Sequence, residues 1–349
     1  MAQRNEADCG GAADKRYSLG IGMFILDSPK LLPGDVVLTA EARIRSKAVR
    51  KATKSSFSHA LLYLGGSSYI HSDGSGVHSG NTQRLLFDEQ SQGLVLRLCD
   101  RQDAKIMSIC MFARTQIGKE YSVPEAVRSK YKRNKNSIAN SNRQFCSRLV
   151  SQAYASAGIQ IVKNPDYCYP KDIADSPLMM IVDGCVRSAS ADEIDFAESD
   201  SPLDKQAAIT NSILSDIRLV SGTDIQTFEQ VASYLLEHPQ HDQEISEIFQ
   251  KSGYLVFWQI DVQKNPWHYD SEAFLALDVP RSQKLEVAKE HRSAAEAQLD
   301  QFQFMYMQYL QLWQKAQLKY FALEIALYLR LIELTKSRVA AAEYVLANA

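Results

Sequence analysis

The hydrophobic pattern changes period midway along the chain. In the first half, short apolar runs at 35–39, 58–64, 69–72 and 93–98 stand between Gly, Pro and Ser clusters, and each predicts a strand. Together they predict a small antiparallel sheet. Helical spacing appears at 104–117, where Ile106, Ile109, Cys110 and Ala113 share a face. It returns from Cys146, where Leu149, Val150, Ala153, Tyr154 and Ala157 do the same. Phe145 is the apolar residue before that helix, and Gly158 is placed to end it in a left-handed conformation.

The second half is helical throughout. The segments 205–219, 225–236 and 243–250 predict three helices, followed by an aromatic patch with Trp258 and Trp267. Pro280 then opens a stretch without Gly or Pro. There Phe302, Met305, Tyr309, Leu312 and Ala316 lead into Tyr320, Leu323, Leu327, Leu331 and Leu334, the spacing of a long helix or helical hairpin. Its apolar face is expected to pack on the chain's own helices; a homodimer through these C-terminal helices is the alternative. Fourteen of the 16 glycines lie at or before Gly184, which separates a turn-rich front from a helical back. Between them, the acidic, aperiodic run at 192–202 reads as a linker. The expected organisation is a polar extension over 1–30, a first domain over 31–190, an acidic linker over 191–204 and a helical domain over 205–349.

Composition narrows the classes without naming one. With 349 residues, 45% hydrophobic, 23% charged and a formal net charge of −2, the chain is ordinary globular material, and its overall charge points to neither nucleic acid nor membrane. The first residues carry acids and lack the apolar core of a secretory signal, and the run 19–26 is too short to span a bilayer. A cytoplasmic protein with no transmembrane segment is expected. Six cysteines occur without a C-x-x-C pair, which argues against a zinc ribbon and against a disulfide framework.

Chemistry concentrates in two places. A cysteine attacks carbonyls as a thiolate, and a helix N-terminus beside an imidazole is the setting that lowers its pKa. Cys146 opens a predicted helix, and His59 lies on a predicted strand whose alternation sends His59, Leu61 and Tyr63 to one side. If the Cys146 helix packs on that side, imidazole meets thiol. A hairpin into Tyr69-Ile70-His71-Ser72 would bring His71 alongside as the third polar group that orients the base. Each signal alone is ordinary: a strand histidine is usually structural, and a cysteine on an amphipathic helix is usually a buried hydrophobe. His59, His71 and His78 also permit a three-histidine zinc site, but no acidic base stands at H-E-x-x-H spacing, so neither metal nor cofactor is expected. No G-x-S-x-G elbow or G-x-x-x-x-G-K-[ST] loop is present.

Five segments in order carry a resemblance. Pro33-Gly34-Asp35-Val36-Val37-Leu38, then 57–65, then Tyr69-Ile70-His71-Ser72, then Ile117-Gly118-Lys119-Glu120-Tyr121, then 145–154 resemble the circularly permuted papain-like branch of the NlpC-type superfamily. That branch includes YiiX-like bacterial proteins and lecithin:retinol acyltransferase, and in it the histidine strand precedes the cysteine helix. The resemblance implies an α+β fold: a permuted papain-like domain with a small antiparallel sheet packed on helices, here followed by an all-α C-terminal region. It implies Cys146 as nucleophile, His59 as base, His71 at the third polar position and Tyr121 near the oxyanion site. Two positions depart from the pattern, since many bacterial members carry a carboxylate where His71 stands and an aspartate where Ser122 stands. The resemblance spans about residues 32–180 and leaves the helical half unexplained.

The implied function is a cysteine hydrolase acting on an amide, as peptidase or amidase, through a Cys-His-His site and a thioester. The alternatives are an acyl-ester or lipid hydrolase or acyltransferase with the same site, and an interaction protein with an inactive papain-like domain. Local charge bears on the substrate. Arg43, Arg45 and their basic neighbours lead into the histidine strand, and Arg143 and Arg148 flank the cysteine, with no acid over 42–72 or 126–165. Such a field favours an anionic substrate or a peripheral anionic membrane. A nucleic-acid partner is disfavoured because the basic stretches lack interleaved aromatics.

Overall fold

The computed structural model describes residues 22–40, 57–132 and 142–349. Its strands are β1 (Phe24–Leu26), β2 (Val36–Thr39), β3 (His59–Gly65), β4 (Ser68–Asp73), β5 (Gly76–Asn81), β6 (Gly93–Leu98), β7 (Met179–Ile181) and β8 (Val186–Ser188). Six form one sheet in the order β5-β4-β3-β2-β6-β7, and β1 pairs with β8 apart from it. β2 is antiparallel to both β3 and β6, with Val37 opposite Leu61 on one side and Val95 on the other. A strand paired on both edges and covered on both faces reads as a continuous apolar run, and all four residues of β2 are buried.

Among the described residues the first eight helices are α1 (Asp103–Thr115), α2 (Val123–Lys132), α3 (Cys146–Ser156), α4 (Pro170–Ala174), α5 (Ala191–Glu198), α6 (Pro202–Ser221), α7 (Phe228–Glu237) and α8 (Asp242–Lys251). The chain continues through α9 (Gln259–Lys264), α10 (Ser271–Leu275), α11 (Arg281–Ala316) and α12 (Lys319–Asn348). No helix among the described residues is long and apolar enough to cross a membrane. Thus a small antiparallel sheet with helices is followed by an all-helical region, the α+β class that the sequence predicts.

Two compact units share the chain. The first comprises the described parts of 1–69, 80–110 and 146–199; the second comprises those of 70–79, 111–145 and 200–349. In the first, Leu26, Val37, Leu61, Tyr63, Phe87, Val95 and Val186 form a core under β2 and β3. Asp35 anchors the entry to β2. It is fully buried, and its carboxylate accepts from Arg97 Nε at 2.8 Å, Arg97 Nη2 at 2.7 Å and the Leu32 amide at 2.8 Å. Losing one partner of such a fork strands the other, although Arg97 is partly exposed and rehydrates in part. Asp35→Ala is expected to destabilise the first unit by about 3 kcal/mol, read as a shifted urea midpoint.

In the second unit, Ile213, Leu214 and Ile217 of α6 meet Val231 and Leu235 of α7, Ile245 and Phe249 of α8, and Tyr309, Tyr320 and Phe321 of the final hairpin. Gly118 lies under this core at φ +94°. A Cβ there would come within 2.4 Å of Leu214 Cδ1 and 2.9 Å of the Gln226 carbonyl oxygen, so only glycine fits.

Two expectations change. The acidic run expected as a linker begins with a helix, α5. Ser190 Oγ accepts from the Glu193 amide at 3.3 Å, and Glu193 Oε2 accepts from the Ser190 amide at 2.9 Å, a reciprocal capping box. Asp192 and Glu193 stand at the positive end of the helix, so charge that suggests a linker is capping charge. The second change concerns α12. The stripe of Leu323, Leu327, Leu331 and Leu334 is only partly inward: the buried positions are Tyr320, Phe321, Glu324, Leu327, Ile332 and Thr335. The helix is rotated so that a carboxyl, Glu324, faces the core.

Candidate active site

Helix α3 is buried almost all round, which requires its polar side chains to find partners. They find them in the loop that follows. Ser147 Oγ donates to the Cys168 carbonyl at 2.7 Å, Ser151 Oγ to the Pro165 carbonyl at 2.7 Å, and Gln152 Nε2 to Asp166 Oδ1 at 2.7 Å. Tyr154 OH donates to the Gly34 carbonyl, tying the helix to the turn before β2. Gly158 ends the segment at φ +76°, and the Ile159 amide returns to the Tyr154 carbonyl at 3.0 Å. These bonds hold the N-terminus of α3 in place. Cys146 is its first residue.

His59 opens β3 just as Cys146 opens α3, and the two elements are in contact. The expected face differs. Leu61 and Tyr63 pack with Val37, Val95 and Val186, and no α3 residue belongs to that cluster. Imidazole and thiol meet instead at the ends of their elements. Burial acts to push the Cys146 thiol up, but the His59 imidazole, by charge and by a hydrogen bond, outweighs it together with the Ala60 and Ser147 amides, and the thiol lies below its ordinary value. Cys146 is 6% exposed, enough for a small reagent. The opposite applies to Cys168. Burial pushes its thiol up to about 12, so it is a structural hydrophobe that also donates to the Ser147 carbonyl at 3.3 Å. All five described cysteines are free thiols. Burial raises Cys185 as well.

His71 lies on β4 and is buried. Its ring stands edge-on to His78, with centroids 4.3 Å apart, and Asp73 lies beside both. Tyr121 is held through its backbone: it bridges to Gln144, while the Ser122 amide donates to the Gln144 carbonyl at 2.8 Å and the Gln144 amide to the Glu120 carbonyl at 2.9 Å.

The basic residues expected to bind substrate fare differently. Arg148 is fully buried. Its Nε donates to the Asp166 carbonyl at 2.8 Å and its guanidinium lies 5.1 Å from the Tyr167 ring centroid, so it braces the loop after α3 and is out of a substrate's reach. Arg143 is shared between Glu120, at 2.8 Å, and Asp224, at 3.2 Å, and its charge is already matched. Arg43 and Arg45 lie outside the described residues. Sequence reasoning also missed the Ala60 and Ser147 amides, which no side-chain pattern reveals, and the place of Asp73 beside His71 and His78, whose signal is its position just before the Gly74-Ser75 turn.

Comparison with known proteins bears on the first part of the chain. No curated protein matches the chain. Among solved structures, the crystal structure of metalloprotein yiiX from Escherichia coli O157:H7 aligns over 44% of this chain and 97% of its own, at 17% identity and a TM-score of 0.30. A likeness that loose carries no further weight. The family model is more specific: it describes a permuted papain-like amidase enzyme and matches residues 30–190, the part that holds both His59 and Cys146. Residues 30–190 thus match the Peptidase_C92 family model, that of the permuted papain-like amidases of the YaeF/YiiX type, an enzyme family of cysteine hydrolases.

Proposed function

We propose that this chain hydrolyses amide bonds by nucleophilic catalysis, with Cys146 as nucleophile and His59 as general base. The observation that supports it most is the Cys146 thiol, drawn below its ordinary pKa by His59 although it is buried. His59 takes the Sγ proton, and the thiolate forms a bond to the amide carbonyl carbon. The resulting oxyanion accepts from the backbone N–H of Cys146 at the start of α3, where helix amides have no intrahelical acceptor. As the tetrahedral adduct collapses, the C–N bond breaks and the leaving amine takes the proton from the His59 imidazolium. The acyl group is left as a thioester on Cys146. His59 then deprotonates a water, which attacks the thioester and releases acid and thiol. The family resemblance assigns His71 to orient His59, and Tyr121 to supply the second oxyanion donor.

A second reading keeps the site and changes the bond. A histidine rather than a carboxylate at position 71 leans toward ester chemistry on acyl lipids. Matched amide and ester substrates, assayed for turnover that depends on Cys146, separate the two.

The thiol itself is tested by iodoacetamide alkylation from pH 5 to 9, mapped cysteine by cysteine. Cys146 is expected to react well below the pH at which an ordinary thiol ionises, about 8.5, and His59→Ala should shift its profile up by about one pH unit or more. An ordinary thiol profile in both proteins would leave the papain-like domain without an activated nucleophile and favour an interaction role.

A further inference from the structure

The β4–β5 hairpin carries a second cluster of chemical groups. β4 ends at Asp73, β5 begins at Gly76, and only Gly74 and Ser75 lie between. A two-residue turn sets His78 opposite His71, and Asp73 lies two residues along on the same face as His71. One ligand atom from each of His71, Asp73 and His78 lies within 4.8 Å of the others. The tip is braced. Asn211 Nδ2 donates to the Ser75 carbonyl at 2.9 Å, the Val77 amide to the Lys119 carbonyl at 2.8 Å, and the Gly118 amide to the Val77 carbonyl at 2.9 Å. Gly76 makes that approach possible, since a Cβ there would sit 2.7 Å from the Lys119 oxygen.

Both nitrogens of His78 face oxygens that only accept. Nε2 lies 3.1 Å from Asp73 Oδ1, and Nδ1 lies 3.3 Å from the Ser79 carbonyl oxygen. A neutral imidazole carries one hydrogen, so one of these contacts needs a second positive centre: a proton or a metal ion. The Ser79 carbonyl is suited to hold the Nδ1 hydrogen, as backbone carbonyls do behind metal-bound histidines, which turns the Nε2 lone pair toward Asp73 and His71. Two imidazoles and a carboxylate are the donors of an open zinc site. A tetrahedral ion with bonds of about 2.0–2.2 Å holds its ligands about 3.3 Å apart, so side-chain adjustment alone closes this set around it. The side chains of His78 and Asp73 are 16% and 38% exposed, which leaves an entry path and room for a water as fourth ligand.

We propose that His71, Asp73 and His78 bind one zinc ion, held by one nitrogen of each histidine and a carboxylate oxygen of Asp73. The ion takes one nitrogen of His71 and leaves the other for a separate hydrogen bond. The site shares His71 with the proposed thiol chemistry, and the test removes that chemistry from the start. Full-length chain carrying Cys146→Ala, stripped with chelator, is titrated with Zn²⁺ by calorimetry in buffers of different ionisation enthalpy. Bound metal is counted after gel filtration. The expected result is one zinc per chain with release of up to one proton at neutral pH, and binding at least about tenfold weaker on adding either His78→Gln or Asp73→Asn. Hydrogen exchange in β4 and β5 reports whether each variant retains the hairpin; if His78→Gln does not, Asp73→Asn decides alone. No zinc retained by the parent chain, or equal affinity in the folded variants, overturns the site.

Discussion

Cys146→Ala is expected to abolish amide hydrolysis, lowering kcat by about 10⁴-fold or more, while the chain stays folded. A loss of that size follows when the atom that forms the covalent bond is removed, because binding and oxyanion donors alone account for only a small part of a thiol hydrolase's rate. The fold should tolerate the change. Alanine keeps the helix start, and the bonds that fasten α3 come from Ser147, Ser151, Gln152 and Tyr154. His59→Ala should reduce turnover comparably, since it removes the base and the charge that favours the thiolate. Cys168→Ala is the control. Its thiol is buried, shifted up to about 12 and bonded to Ser147 and Ser151, so its loss should cost about 1–2 kcal/mol of stability and spare catalysis. Measured turnover that survives Cys146→Ala and disappears with Cys168→Ala would reverse the assignment.

The second large effect is on stability. Glu324 is fully buried in α12, and no well-aligned hydrogen bond reaches either carboxyl oxygen. Burial raises its pKa from 4.5 to about 8, against the pull of the Tyr254 and Tyr320 hydroxyls nearby and with help from Glu229. The folded state therefore holds a proton that the unfolded state releases. Between pH 4.5 and about 8 the folded chain binds more protons, so its stability falls as pH rises through that window and levels off above it. The full contribution is about 5 kcal/mol, at about 1.4 kcal/mol for each pH unit. Glu324→Gln removes the ionisation. The difference between variant and parent should favour the variant increasingly from pH 5 to 9, measured by denaturant unfolding with hydrogen exchange in α12 as the local readout. A difference that does not change with pH would mean that water or a cation reaches the carboxylate.

The contrast between Glu324 and the leucines around it shows where sequence patterning stops. Leu323, Leu331 and Leu334 follow a helical stripe, yet in the structure they are only half-buried. Hydrophobicity marks which residues can be buried, but the rotation of a helix in a bundle is set by the shapes it meets. On α12 those are the rings of Tyr309, Phe249 and Tyr254, which accept Tyr320, Phe321 and Glu324. On α11 no such conflict arises, and Met305, Tyr309, Leu312 and Ala316 pack inward as their spacing predicts. The same limit explains Arg148. A basic residue two places after Cys146 reads as a substrate contact, and its burial beside Tyr167 depends on a loop whose carbonyls Ser147 and Ser151 hold.

Local and chain-order information was enough for the strands β2, β3, β4 and β6, for helices α1 and α3, for the left-handed stop at Gly158, and for naming His59 and Cys146 as candidates for one site. Each of these depends on period, on turn residues or on the order of motifs, which are properties of neighbours in sequence. The depressed thiol of Cys146 and the inert one of Cys168 look alike as letters and differ through the His59 imidazole and Ala60 amide, brought in from outside the helix, and the Ser147 amide in its first turn. The capping role of Glu193, the buried carboxyl of Glu324 and the gathering of Asp73 with two histidines likewise arise from chain packing. Electrostatic environment acts through space over a few ångströms, and it takes the folded chain to say which groups share those ångströms.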